Sequence, residues 1–146
     1  MQLPQSFYSF DEPMLIAVTD STQARLFLAD GRTVEEIETI TADHLPLGDQ
    51  ERYHTQTPSG TVTKEQTENL KEISREELYT ALSENLRHRY QKNEFTKLAF
   101  AVPKEHLNEL KETIHIDLLK ITQVFIPKLL TREDPLEIVA RTQEET

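Results

Sequence analysis

The sequence predicts an α/β fold: a three-layer, mixed β-sheet with flanking helices, in the order βββ–loop–α–β–α–β–α. Three observations predict it. Three strand-like segments lie close together near the start of the chain. Helix-like and strand-like segments then alternate, which is typical of α/β layers. The length of 146 residues suits one domain. We expect a single domain over residues 14–142, an N-terminal arm over 1–13 and a frayed tail over 143–146.

The first three strands are predicted between residues 14 and 40. Residues 14–18 form a continuous apolar run, which fits a strand buried on both faces. A second apolar segment covers residues 24–28, and Asp30-Gly31 after it is a strong hairpin signal. Residues 33–40 then place glutamates between apolar positions. These patterns predict an antiparallel meander of three strands.

The polar segment 41–72 interrupts this pattern. It contains two of the three glycines, and its few apolar residues follow no period. A loop of about 30 residues inside a compact domain is usually functional or disordered. We therefore expect residues 41–72 to be a long loop that carries the interaction with a partner.

A helix is predicted to begin after this segment, at a capping box formed by Ser74 and Glu77. Apolar residues at helical spacing follow, and the helix should end near Lys92, with Asn93 as the stop.

The last elements follow from shorter signals. Residues 97–102 predict a buried strand, residues 104–114 a short helix, and residues 119–130 a strand near an edge. Asp134 and Glu137, with a proline between them, predict the start of a final helix.

Composition excludes several functional classes. The absence of cysteine excludes disulfides, iron–sulfur clusters, Cys-type zinc sites and thiol nucleophiles. A net charge of −10 argues against broad nucleic-acid binding and against binding to anionic membranes. The longest apolar run has five residues, and the first 13 residues resemble no export signal. We expect a cytoplasmic protein with no membrane partner.

No catalytic or metal-binding motif stands out, so we predict no catalytic residue, no metal and no cofactor. The chain has five histidines, and no two of them have the helical spacing of metal ligands. His44 and His54 share the polar segment with acidic residues, and a metal site there would require the segment to fold back. Phosphate-binding loops and nucleophile-elbow motifs are absent.

The predicted topology also suits a ribonuclease-H-like nuclease, which holds two metals with carboxylates on central strands. Asp20 ends the first strand and could serve as one ligand. The strand over residues 98–102 carries no carboxylate, and Glu84 alone does not complete a set. We therefore disfavour a nuclease.

A small basic patch is predicted on the long helix, formed by Arg87, Arg89 and Lys92. It could contact RNA or the ribosome. The favoured interpretation is that these side chains complement the negative end of the helix dipole and are solvated.

Several segments resemble a known family. They are Leu-Ile-Ala-Val-Thr-Asp20, Gln-Ala-Arg-Leu-Phe27, Asp30-Gly31, Val34-Glu-Glu-Ile37, Leu-Ala-Phe-Ala-Val-Pro103 and Leu129-Leu-Thr131. Together with the element order over residues 14–141, they look like the bacterial host attachment proteins. These are in turn similar to the middle domain of archaeal and eukaryotic class I peptide-chain release factors. The resemblance implies a mixed sheet with flanking helices.

The resemblance says less about function. In the release factors, a Gly-Gly-Gln tip on the loop after the third strand enters the peptidyl-transferase centre of the ribosome. This chain has no Gly-Gly dipeptide, and its segment offers only Gly48-Asp-Gln50 and Ser59-Gly60. The tip does not carry over, so we do not expect hydrolysis of peptidyl-tRNA.

Three hypotheses remain open. The first is a non-enzymatic adaptor that contacts an unknown protein or the ribosome and its RNA through the polar segment, with these candidate residues: His44, Asp49, Gln50, Arg52, Tyr53 and His54. The second is a hydrolase of a nucleic-acid or ester substrate that uses residues 43–54. The third is a homo-oligomer in which the aromatic residues of the arm dock on a neighbouring copy.

Overall fold

A computed structural model describes residues 1–42 and 64–146, with the side chains of the second range described from residue 74. The elements are β1 (Phe10–Thr19), β2 (Gln23–Gly31), β3 (Thr33–Thr41), α1 (Lys64–Gln91), β4 (Lys97–Ala101), a 3₁₀ turn (Lys104–His106), α2 (Leu107–Thr113), α3 (Ile116–Lys120), β5 (Thr122–Ile126) and α4 (Pro135–Glu145).

The strands form one mixed sheet in the order β3-β2-β1-β4-β5. β1, β2 and β3 pair in antiparallel fashion, whereas β4 lies parallel to both β1 and β5. The predicted meander and the mixed sheet are confirmed. Because β3 is antiparallel to β2, it runs in the same direction as β1, β4 and β5. These four strands end at one end of the sheet, which we call the carboxyl end: the turn 20–22, Ala42, residues 102–106 and the loop 127–134.

Two apolar cores lie on opposite faces of the sheet and confirm the three layers. On one face, α1, α2 and α3 cover side chains that include Leu15, Leu26 and Phe100. On the other face, α4 covers a second set with Ile16 and Phe27. Alternate residues of β1 enter opposite cores, which explains why its apolar run is continuous.

Helix α1 corrects the prediction for the polar segment. It begins at Lys64, ten residues before Ser74, so Ser74 and Glu77 lie inside the helix and the predicted capping box does not start it. Residues 64–72 are therefore helical and not part of a loop. Their sequence is rich in Lys, Glu, Gln and Leu, which form helices well without any apolar stripe. The predicted stop is confirmed, because Asn93 follows the helix in the left-handed region with φ of 61°.

The N-terminal residues pack on their own domain. Strand β1 begins at Phe10, so residues 10–13, assigned to the arm from the sequence, belong to the sheet. The amide of Leu3 donates to the Arg32 carbonyl at 2.7 Å, and the Leu3 side chain is buried. The Arg32 guanidinium donates to the carbonyl of Phe7 at 3.1 Å. The N-terminal arm thus packs against the sheet and covers part of it.

The C-terminal region differs from the prediction at two points. Strand β5 covers only Thr122–Ile126, because α3 occupies the residues before it and Pro127 follows it. Helix α4 begins as predicted, with the Glu137 amide donating to the Asp134 carboxylate at 3.0 Å. It continues to Glu145, where the sequence predicts a frayed tail, and the Gln143 amide group makes two hydrogen bonds to the Tyr8 backbone.

Candidate interaction site at the carboxyl end of the sheet

The carboxyl end is where the undescribed residues 43–63 connect to the sheet. The amide of Ala42 donates to the Thr22 carbonyl at 2.9 Å, which fixes the end of β3 against the turn after β1. The chain re-enters the described structure at Lys64, the first residue of α1. All six residues of the predicted interaction segment lie outside the described residues, so the site is built here from what surrounds their point of attachment.

Asp20 organises this end. Its Oδ1 accepts hydrogen bonds from the Thr22 amide at 2.7 Å, the Thr22 hydroxyl at 3.0 Å and the Gln23 amide at 2.9 Å. Its Oδ2 accepts the Thr131 hydroxyl at 2.7 Å. One carboxylate therefore joins the β1–β2 turn to the loop after β5.

The pKa of Asp20 reflects these bonds. Partial burial alone raises the pKa of the carboxyl group, but the hydrogen bonds from Thr22, Thr131 and Gln23 outweigh it and leave the pKa below its ordinary value. Asp20 is therefore ionised and both of its carboxylate oxygens accept hydrogen bonds from the fold, which makes it a structural anchor.

Arg25 fixes the same loop from β2. Its guanidinium donates to the carbonyls of Thr131 at 2.8 Å and Glu133 at 3.0 Å. The other nitrogens form a two-point ion pair with Glu36, both at 3.0 Å. This pairing holds the pKa of Glu36 below its ordinary value. The loop 127–134 is thus fixed by two neighbouring strands.

Ser21 and His106 meet across the gap between β1 and β4. The Ser21 hydroxyl lies 3.4 Å from His106 Nε2, near the long limit for a hydrogen bond. After β1 the chain continues to β2 on one side, and after β4 it continues to β5 on the other side. In open α/β sheets, ligands bind between two neighbouring strands whose connections run to opposite sides.

Tyr79 lies on α1 and is buried in the core, and its hydroxyl has no hydrogen-bond partner among the described residues. Burial raises the pKa of this phenol, and the charge of Glu109 adds to the effect. Glu109 also pairs with Arg75 at 2.7 Å, which ties α2 to α1. Tyr79 therefore stays protonated.

The predicted basic patch is divided by the structure. Arg89 forms ion pairs with Glu38 and with Glu94, the latter at 2.8 Å, so its charge is used to join α1 to β3 and to the turn after the helix. Arg87 and Lys92 are exposed. Arg87 and Lys92 are therefore solvated, whereas Arg89 is paired and stabilises the fold.

The carboxylates considered for a nuclease are not brought together as a metal site. Asp20 is surrounded by hydrogen-bond donors, and Glu84 is exposed beside Arg87 and His88. Among the described side chains, those of residues 1–42 and 74–146, no three His, Asp or Glu residues cluster closely enough to hold a metal ion.

None of the helices described here combines the length and the apolar character that crossing a bilayer requires.

Sequence reasoning missed Arg25, Thr131 and the contact between Ser21 and His106. The only available signal was the turn Asp20-Ser-Thr22, since aspartate commonly bonds to the amides that follow it. The partners of these residues lie as far as 111 positions away in sequence.

A family model described as "Protein required for attachment to host cells" matches residues 15–142. No curated protein matches the chain.

Two solved structures are similar to the chain. The archaeal translation termination factor aRF1 is 17% identical with a TM-score of 0.51, and the match covers 90% of this chain and 39% of that one. Another structure, described as an archaeal protein, is 13% identical with a TM-score of 0.49, covering 90% and 36%. The chain thus spans less than two fifths of either protein, and at these identities the likeness to aRF1 concerns the fold alone.

Proposed function

The chain belongs to the family of proteins required for attachment to host cells, and from this premise we propose that it is a non-enzymatic adaptor. In this proposal residues 43–63 are the interaction element, and the carboxyl end of the sheet is the platform that presents them. The partner is the translation machinery. The observation that carries the proposal is that four strand ends meet where this segment attaches.

The platform is built to hold its shape. Asp20 joins the β1–β2 turn to the loop 127–134, and Arg25 fixes two carbonyls of that loop. Ala42 is bonded to the same turn. A base that is already rigid loses little conformational entropy when a partner binds.

The translation machinery is proposed as partner because the fold is similar to that of a termination factor. The chain lacks a Gly-Gly dipeptide, so the proposal concerns binding and not release of the peptide. Binding also agrees with Asp20, both of whose carboxylate oxygens accept structural hydrogen bonds.

Co-sedimentation with purified bacterial ribosomes tests the proposal. The full chain is compared with a variant whose residues 45–62 are replaced by a short Gly-Ser linker. A matched control carries the same residues 45–62 in scrambled order, which keeps length, composition and charge. We expect the full chain to sediment with ribosomes and both variants to remain in the supernatant, with unchanged circular dichroism. Failure of the full chain to sediment contradicts the proposal, as does equal sedimentation of all three proteins.

A second candidate function is a hydrolase of an ester or nucleic-acid substrate that uses residues 43–54. The contact between Ser21 and His106 favours it, because a hydroxyl beside an imidazole is the start of a nucleophile–base pair. This candidate predicts heat from divalent metals in calorimetry that His54→Ala weakens, or ester hydrolysis that Ser21→Ala abolishes. The absence of both effects in the wild-type protein would exclude the hydrolase.

A further inference from the structure

An exposed tyrosine lies between two grooves at the end of the sheet opposite the platform, where β1 and β4 begin. The Tyr8 side chain is 77% exposed. One groove, of about 390 Å³, is lined by the first residues of β1 and β4. The other, of about 370 Å³, is lined by the arm and the last turns of α4. Tyr8 and Gln143 line both grooves, so the ring stands at their junction.

The backbone of Tyr8 is fixed by side chains from two other elements. The Tyr8 amide donates to Gln143 Oε1 at 3.1 Å, and Gln143 Nε2 donates to the Tyr8 carbonyl at 2.7 Å. The Arg32 guanidinium donates to the preceding carbonyl, that of Phe7, at 3.1 Å. An aromatic side chain on a fixed backbone loses little conformational entropy on binding, and tyrosine is a frequent anchor of protein interfaces.

The charged side chains of the two grooves are mainly acidic. Among the described lining residues, Asp11, Glu12 and Glu144 are acids and Lys97 is the one cation. Lys97 Nζ lies 3.3 Å from the Glu12 carboxylate, so these two charges cancel. Asp11 and Glu144 are exposed, and neither pairs with a cation in the described part of the chain. Each groove therefore keeps one unbalanced carboxylate in addition to the tyrosine.

The end of α4 adds to the negative potential of the grooves. Glu144 and Glu145 lie in its last turn, which holds no basic residue. The last turns of α2 and α3 do hold one, Lys111 and Lys120 respectively. Because the carboxyl end of a helix is the negative end of its dipole, a cation is favoured there. A cation from another molecule would supply the charge that this helix end lacks.

The fold already holds one of its own arginines with the same two kinds of group. The Arg25 guanidinium lies 4.9 Å from the centre of the Phe27 ring, and it pairs with both oxygens of Glu36 at 3.0 Å. A planar guanidinium stacks on an aromatic face and donates two parallel hydrogen bonds to a carboxylate. The grooves offer an aromatic ring and unpaired carboxylates to an arginine from outside.

We propose that the grooves beside Tyr8 dock an arginine-rich segment of a protein partner. One arginine of the segment stacks on the Tyr8 ring, and others pair with Asp11 in one groove and Glu144 in the other. The net charge of −10 attracts such a segment over a longer range. This inference goes beyond the proposed function, because it concerns the opposite end of the sheet and its test does not involve ribosomes. Either can fail without the other.

Fluorescence anisotropy with a labelled hexa-arginine peptide measures the binding. Hexalysine and hexaglutamate peptides with the same label are compared with it. We expect hexa-arginine to bind more tightly than hexalysine, because an ammonium group neither stacks nor forms the two-point pair. Hexaglutamate should not bind, and added salt should weaken the binding of both basic peptides. No binding of hexa-arginine, or equal affinity for the two basic peptides, would overturn the proposal.

Two variants of Tyr8 test the contribution of the ring. Tyr8→Leu should weaken hexa-arginine binding about threefold, because it keeps an apolar side chain but removes the aromatic face. Tyr8→Phe keeps that face and should bind as the wild-type protein does. The side chain is exposed, so both variants should retain the wild-type circular dichroism. Wild-type affinity in Tyr8→Leu would overturn the proposal.

Matched charge variants test the carboxylates. D11N/E144Q should weaken hexa-arginine binding about fivefold, the sum of two exposed ion pairs. The control E35Q/E112Q changes exposed residues of β3 and α2 and should bind as the wild-type protein does. Each variant removes two negative charges, so a difference between them reports position and not total charge. Equal losses in the two variants would overturn the proposal.

A second copy of the chain docking at these grooves would give a different result. The mass in solution would then rise with protein concentration, and Tyr8→Leu would lower it. Hexa-arginine would leave the mass unchanged, whereas a peptide bound in the grooves would compete with the second copy. A concentration-dependent mass that depends on Tyr8 and ignores the peptide would overturn the proposal.

Discussion

At the scale of single residues, Asp20 and Arg25 connect parts of the chain that lie far apart in sequence. Asp20 bonds to the turn that follows it and to Thr131, and Arg25 bonds to the backbone on both sides of Arg132. The carboxyl end is therefore held by two side chains, and the loss of either should affect stability as well as binding.

Replacing Asp20 tests its role as an anchor. Asp20→Ala should lower the free energy of unfolding by about 1–2 kcal/mol at neutral pH, because it leaves backbone amides without an acceptor. The folded pKa lies below the ordinary 3.8, so the carboxylate stabilises the fold above that value and its contribution disappears as pH falls through the folded pKa. Urea unfolding at neutral pH and near pH 3 measures the difference. A deficit that persists unchanged in acid would contradict the role of the charge.

Tyr79 provides the opposite test. Its buried hydroxyl has no partner in the described structure, so Tyr79→Phe removes an unsatisfied polar group and leaves the ring packed. We expect the free energy of unfolding to stay within about 0.5 kcal/mol of the wild-type value or to rise. Urea unfolding checks this, with Tyr79→Leu as a variant that loses packing as well. A loss above about 1 kcal/mol on Tyr79→Phe would mean that the hydroxyl has a partner.

At the scale of elements, local sequence signals placed the strands well and the start of α1 poorly. The hairpin at Gly31, the stop at Asn93 and the cap at Asp134 depend on backbone chemistry within a few residues, and the structure confirms each one. The capping box at Ser74 obeys the same local rules. It fails because residues 64–73 also form helix, which extends the helix past the signal.

A proline substitution distinguishes the two starts of α1. Arg75 would be the first helical residue if Ser74 were the cap, and proline is tolerated there. In a helix that begins at Lys64, the same position is interior, and proline costs about 3 kcal/mol. We expect Arg75→Pro to lose helical circular dichroism and stability relative to Arg75→Ala, which already removes the pair with Glu109. Equal spectra and stability for the two variants would place the start at Ser74.

The arm gives a third prediction at this scale. Deleting residues 1–8 removes the buried Leu3 side chain and the hydrogen bond from the Leu3 amide to the Arg32 carbonyl. The free energy of unfolding should therefore fall by about 2 kcal/mol or more. Urea unfolding measures this loss, and Gln5→Ala at an exposed position serves as the control. The mass of both proteins in solution tests the homo-oligomer hypothesis. A change from oligomer to monomer on deletion would support docking on a neighbouring copy. Unchanged stability would contradict the packing of the arm on its own domain.

At the scale of the whole molecule, the sequence was sufficient for the layers, the antiparallel meander and the mixed character of the sheet. Alternating apolar segments with short connections leave few arrangements of an α/β sheet. The grouping at the carboxyl end could not be predicted, because contacts such as Ser21 with His106 depend on strand order and register. A single sequence does not contain that information in any local pattern.

Contact with the ribosome is expected at the carboxyl end of the sheet. Hydrogen exchange of backbone amides, measured with and without bound ribosomes, tests this directly because it reports every region at once. We predict slower exchange in the turn 20–22, residues 102–106 and the loop 127–134, with no change in the hairpin turn 30–33 or in residues 92–96 at the opposite end. Protection at the opposite end, with the carboxyl end unchanged, would contradict the account.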